Sequence, residues 1–181
     1  MIARITRYRT PPAAVSWLVN EIVALARSRS HEFVRNPDRT AEFFFVHTPT
    51  GDGLSVVLGT SRAVMPAIDI EGADRGDPQE YDVQLLQLGG PRDSGVVPAL
   101  YAKVVRGRPD AAHEALDRDA VPSSPHVWVR ALLRANGGDV LAFAVGTEWA
   151  AIAESLQKLG APAAEVESFD DVAYHFWRDR S

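Results

Sequence analysis

The chain reads as an α+β protein built from two tandem β-α-β-β-α-β units, and three features of the sequence predict this. The first is a repeated grammar. Asn136-Gly137-Gly138-Asp139 is a hairpin turn, Val140 to Val145 an uncharged strand, and Gly146-Thr147-Glu148-Trp149 a helix start. Gly51-Asp52-Gly53, Leu54 to Leu58 and Gly59-Thr60-Ser61 repeat it. Asn-Gly and Gly-Asp supply the positive φ angles of tight hairpin turns, and a threonine before the helix is a suitable N-cap. The second feature is a pair of amphipathic stripes. Val15, Leu18, Val19, Ile22 and Leu25 form one, and Trp149, Ile152, Ala153, Leu156 and Leu159 the other, each at the three-and-four spacing of a single buried helix face. The third is the glycine-rich Gly89-Gly90-Pro91-Arg92-Asp93-Ser94-Gly95, after which the series of elements begins again. A recurring element order of this kind is the mark of internal duplication.

Ile2 to Arg9 is the first strand, closed by Thr10-Pro11-Pro12. The prolines suit the first turn of a helix over Ala13–Arg29, because the N–H they lack has no partner there. Trp17 stands off the buried stripe, which gives it a second surface to touch. Ala41 to His47 is a strand, and Phe43, Phe44 and Phe45 in succession require burial on both of its faces. The hairpin leads into Leu54–Leu58, a short helix starts at Ser61 and is limited by Pro66, Asp69 to Gln79 is a loop, and Tyr81 to Leu88 alternates as a strand. In the second half Leu100 to Arg106 is a strand, with Ala102-Lys103-Val104-Val105-Arg106 echoing Ala3-Arg4-Ile5-Thr6-Arg7. Its helix, opened by Pro109-Asp110, is shorter and ends before Pro122. His126 to Arg134, Val140 to Val145, a helix from Glu148 to Leu159 and a last strand over Phe169–Trp177 complete the unit.

This is the ferredoxin-like order, an antiparallel sheet with helices on one face. The expected organisation is residues 1–89, a linker at 90–95, and residues 96–181. Both sheets carry apolar residues on two faces, so each needs a second cover. The other half is the nearest cover, and an intramolecular α/β barrel with the sheets face to face is expected.

Composition removes several classes of function. The formal net charge of −5 argues against a general nucleic-acid binder. The absence of cysteine excludes disulfides, thiolate metal sites and a catalytic thiol. No apolar run follows the charged N-terminus, so it is not read as a signal peptide, and no window approaches the roughly 18 apolar residues of a membrane span. A cytoplasmic, bacterial protein is expected, as a monomer with an internal pseudo-dimer or as a weak homodimer.

Met1-Ile2-Ala3-Arg4-Ile5-Thr6-Arg7-Tyr8-Arg9-Thr10, with the Gly-Thr helix start and the aromatic last strand, resembles the antibiotic-biosynthesis monooxygenase group of the dimeric α/β-barrel superfamily. The topology covers nearly the whole chain, the residue matches a small part of it. The resemblance implies a barrel whose interior holds a small molecule. It also implies cofactor-independent oxygenation, in which cavity residues bind and deprotonate a phenolic or polyketide-like substrate and dioxygen reacts with the resulting carbanion. No cofactor is then expected. Haem-degrading members use an Asn, Trp and His set, and the first strand here has no Asn, which disfavours haem chemistry.

The candidate site residues follow from the chemistry of an anionic aromatic ligand: cations to hold it, flat apolar walls to bury it, and a base titrating near neutrality. Arg4 and Lys103 occupy equivalent positions in the two first strands and supply the cations. Trp128, with Tyr8 and Tyr101, supplies walls. His175, beside Tyr174 in an aromatic strand, is the expected general base. Each has a plainer role as well: the cations can pair with carboxylates at a rim, and strand aromatics are commonly core. His31, His47, His113 and His126 form no helical metal pair, so no metal site is expected. The alternative to an enzyme is a non-catalytic α/β-barrel protein, a ligand-binding or stress-response and interaction scaffold with an eroded site. A polar cavity inside one half favours the enzyme, and two cores filled by aromatics favour the scaffold.

Overall fold

The computed structural model describes residues 1–21, 24, 38–61, 70–89, 101–107, 124–159 and 165–177, without the side chains of residues 39, 40, 165 and 171–177. The chain forms two compact units, Met1–Tyr81 with Asp171–Ser181, and Asp82–Asp170. The first unit takes its last strand from the end of the chain, so the units differ from a division into 1–89 and 96–181.

In the first unit β1 (Ile2–Arg9) pairs antiparallel with β3 (Asp52–Gly59), and β3 with β2 (Arg39–His47). β2 in turn pairs with β10 (Asp171–Trp177), which gives the order β10-β2-β3-β1. The two-residue β4 (Asp74–Arg75), inside the expected loop, also pairs with β1. A 3-10 turn at Pro12–Ala14 leads into helix α1, residues 15–21. Its Val15 and Leu18 are buried against Tyr8, Phe44 and Val46. The opposite side of the sheet is Ala3, Ile5, Ala41, Phe43, Phe45, Leu54, Val56 and Leu58, each at most 2% exposed. The phenylalanine run is therefore buried on both faces, as its sequence requires. Trp17 lies against the turn at Gly72. Ile22 and Leu25, the helices expected after Ser61 and Pro109, and the linker at 90–95 lie outside the described residues.

The second unit has the order β7-β8-β6-β9, from β6 (Tyr101–Gly107), β7 (Val127–Ala135), β8 (Val140–Gly146) and β9 (Glu165–Phe169). Its pairs are antiparallel too. Helix α2 (Trp149–Lys158) covers one face, with Ile152, Leu156 and the following Leu159 packed on Val105, Leu132, Val140, Ala142 and Ala144. β5 (Gln79–Leu88) begins in the first unit and ends in the second. The architecture is α+β and dominated by antiparallel sheet.

Two expectations are corrected. The last strand, expected over Phe169–Trp177, is two strands broken at Asp170: β9 pairs with β6, and β10 with β2. Without β10, β2 would present a bare edge beside its phenylalanines, the kind of template that invites aggregation. Helix α2 is capped at Glu148 (φ −136) without a side-chain cap bond. Thr147 Oγ1 lies instead 3.3 Å from His126 Nδ1.

The hairpin between β2 and β3 turns at Gly51, with φ +75, and a Cβ there would lie 1.9 Å from the Thr10 carbonyl oxygen. That approach lets the Thr10 N–H donate to the Gly51 carbonyl at 2.9 Å. Gly51→Ala is expected to cost about 1–3 kcal/mol. Gly137→Ala, whose Cβ would meet nothing within 4 Å, should stay within about 0.5 kcal/mol. Urea denaturation of the two variants checks this, and equal losses would contradict it. Leu18→Ala and Ile152→Ala, both at fully buried positions, are expected to lower stability by about 2–5 kcal/mol each. A loss below about 0.5 kcal/mol at either would show that its helix stripe is misassigned.

Candidate functional site

The buried polar groups of the first unit are not scattered. Strand pairing sets three rows across β1, β3 and β2: Tyr8, Gly53 and Val46; Thr6, Ser55 and Phe44; Arg4, Val57 and Glu42. Residues two apart on a strand share a face. The rows therefore stand on one side of the sheet, the side on which Tyr8, Phe44 and Val46 meet α1. The helix caps the Tyr8 end. The Thr6–Ser55 row follows about 7 Å further along, and the Arg4–Glu42 row about 7 Å beyond that. Thr6, Ser55 and Glu42 are all buried, Glu42 to 1% exposure. The opposite face of the same strands is apolar over its middle, with Arg7, Arg9, Asp52 and His47 at the strand ends.

A carboxyl group in such a place is costly, since removal from water penalises charge unless cations or donors compensate. Its presence among Ala41, Phe43, Phe44, Phe45 and Val46 marks this side of the sheet as a place prepared for polar chemistry. Arg4 is the cation of the row. Its Nη2 donates to Glu80 Oε1 of β5 at 2.9 Å, with side chains 22% and 31% exposed. Tyr8 packs on Phe44, ring centroids 5.3 Å apart, and forms an aromatic wall at the helix end.

The residues singled out from the sequence divide between the units. Arg4 belongs to the first, as do Tyr174 and His175, consecutive positions of β10 paired with Phe44 and Phe43. The register thus sets Tyr174 in the row of Phe44, Ser55 and Thr6, and His175 in the apolar row of Phe43, Val56 and Ile5. Lys103 and Trp128 belong to the second unit. Lys103 Nζ lies 5.2 Å from the centroid of the Trp149 ring, which also meets Tyr101 at 5.0 Å with the ring planes tilted by 37°. The aromatic face attracts the ammonium. Trp128 is buried at the bulge of β7, and its carbonyl accepts the Gly89 N–H at 2.6 Å.

Two residues the sequence reading passed over hold corresponding positions. Glu42 ends the row Arg4–Val57–Glu42, and Arg130 ends the row Lys103–Ala144–Arg130. Each is a charge with apolar residues on both sides of it in the strand, and that is the signal by which sequence could have found them. Beside Arg130 the helix side of the second unit carries the apolar cluster under α2, whereas the first unit keeps its polar rows. Among the described residues no group of three His, Asp or Glu is placed to hold a metal ion, and no helix is long and apolar enough to cross a membrane.

The fold is shared with solved structures of the dimeric α/β-barrel type. Among solved structures, a "putative monooxygenase" from Lactobacillus acidophilus NCFM superposes with a TM-score of 0.70 at 6% identity, covering 97% of this chain and 95% of its own. A protein of the same description from Fusobacterium nucleatum gives 0.62 at 8% identity, covering 98% and 94%. An anthrone oxidase-like protein gives 0.51 at 9% identity, covering 97% and 93%. No protein-family model and no curated protein matches the sequence. At such identities the likeness is one of fold.

The Arg4–Glu80 pair is partly open to solvent, so its coupling is expected to be about 0.2–1 kcal/mol and to fall with added salt. A double-mutant cycle with Arg4→Gln and Glu80→Gln measures it. A coupling above about 2 kcal/mol would mean the pair is a buried structural lock, leaving Arg4 no freedom to meet a ligand.

Proposed function

We propose that this is a small-molecule-binding α/β-barrel protein of the monooxygenase type, acting without a cofactor on a phenolic or polyketide-like substrate. The site is the helix side of the first unit's sheet. The observation that carries this reading is the segregation of Thr6, Ser55, Glu42 and Arg4 on one face of strands whose other face is apolar. Arg4 holds the substrate's phenolic oxygen as an anion. Glu42, buried in the same row as Arg4, takes the proton. Tyr8 and Phe44 supply the flat wall. Once the phenol is ionised, the negative charge delocalises onto a ring carbon. That carbon adds dioxygen, and the hydroperoxide loses water to leave a carbonyl: one CH₂ and one O₂ become one C=O and one H₂O. The resemblance of the opening strand and the fold shared with the monooxygenase-type and anthrone oxidase-like proteins support the same reading. We also read the matching strand orders β2-β3-β1 and β7-β8-β6 as a tandem duplication in which the second half has lost its site and become apolar core.

The test is oxygen uptake with a hydroxylated anthrone, corrected for autoxidation, together with calorimetric binding of a non-oxidisable phenol. Wild type is expected to consume one O₂ per substrate. Arg4→Gln is expected to lower kcat/KM about tenfold or more, as for loss of a charged hydrogen bond. The filled core of the second unit favours a second reading, a non-catalytic binding scaffold. Binding of the phenol without oxygen uptake would select it, and no binding at millimolar phenol would remove the site altogether.

A further inference from the structure

Arg130 carries a consequence of its own. It stands in the middle of β7 with only 7% of its surface exposed, and burial holds its guanidinium below the ordinary arginine pKa. Its Nε donates to Gln87 Oε1 of β5 at 2.6 Å, and Nη2 donates to the same oxygen. Gln87 is neutral. Among the described residues no carboxylate lies within ion-pair distance of Arg130, and Nη1 makes no hydrogen bond. A guanidinium has five N–H donors in a planar fork, so the two on Nη1 and one on Nη2 remain. A buried cation left without a counter-charge is strongly unfavourable.

Arg130 lines a cavity of about 30 Å³ in the second unit, together with Ser124, Val127, Ala151, Ser155 and Lys158. Ser155 is itself buried at 7% exposure. The lining carboxylate, Glu154, is engaged by Lys158 at 2.7 Å on the outer face of α2. The cavity therefore offers a largely buried cation, a buried serine and, in Lys158, a cation shared with Glu154. It has room for at least one small solute or water, enough for a monatomic or small planar anion.

We propose that this cavity binds a compact anion, chloride, nitrate or formate in size, which neutralises Arg130 through Nη1 with help from the Ser155 hydroxyl. Binding to the folded state alone makes stability rise with anion concentration. The site is separate from the one proposed on the first unit.

The experiment follows the unfolding temperature of the full chain at constant ionic strength, exchanging gluconate for nitrate, chloride or formate. Wild type is expected to gain several degrees and to saturate. Arg130→Gln should lose that dependence or weaken the apparent affinity at least tenfold. Lys158→Met, which leaves the buried guanidinium in place, should weaken it a few-fold. A wild type indifferent to the three anions overturns the proposal, as does an Arg130→Gln protein with unchanged dependence. Should Arg130→Gln fail to fold, anomalous diffraction from bromide-soaked wild-type crystals decides. A bromide peak within hydrogen-bond distance of Nη1 supports the site, and its absence refutes it.

Discussion

A strand that carries Phe43, Phe44 and Phe45 in succession must be covered on both faces and along its edge, and the first unit is built to meet that constraint. One face turns Phe44 to α1, where Val15 and Leu18 close on it. The other joins Phe43 and Phe45, stacked at 5.9 Å between ring centroids, to the apolar residues of β1 and β3. The edge is closed by β10, drawn from the far end of the chain. Alternation along β2 then fixes Glu42 on the side of Phe44. The buried carboxyl and the buried aromatic are consequences of a single register, and a slip of one residue would exchange both.

The two units share this frame and use it differently. Val57 separates Arg4 from Glu42, and Ala144 separates Lys103 from Arg130. The first row holds a cation and a carboxylate, one strand apart, beside buried hydroxyls. The second holds two cations, one resting on Trp149 and the other on Gln87, at the border of a packed apolar cluster. Opposite charges in a row suit a site that must bind an anion and move a proton. Two cations separated by apolar core suit only the binding of an anion, which is why chemistry is assigned to the first unit.

Much of the fold was legible because periodicity and turn chemistry are local. The Asn-Gly and Gly-Asp hairpins appear with positive φ at Gly51 and Gly138, and the helical stripes bury Val15, Leu18, Ile152 and Leu156. The destination of β10 was not legible, because aromatic alternation states that a strand needs a neighbour without naming which. The break at Asp170 offered the one local hint, two adjacent aspartates in the middle of an expected strand. Within the site, Arg4 was legible from its place in the opening strand. Glu42 was hidden by the attention its three phenylalanines attract. Lys103 matches Arg4 in sequence and in register, but the aromatic neighbour that occupies it, Trp149, lies 46 residues away, beyond the reach of pattern.

The central claim is that the helix side of the first sheet ionises a bound phenol. A nitrophenol offered at a pH below its own pKa reports this directly, because the phenolate absorbs at longer wavelength than the phenol. The account requires the phenolate band to grow as wild-type protein is added and to vanish with Glu42→Gln while the phenol still binds. A bound nitrophenol that stays protonated on the wild type, or a phenolate band of equal strength on Glu42→Gln, would contradict it.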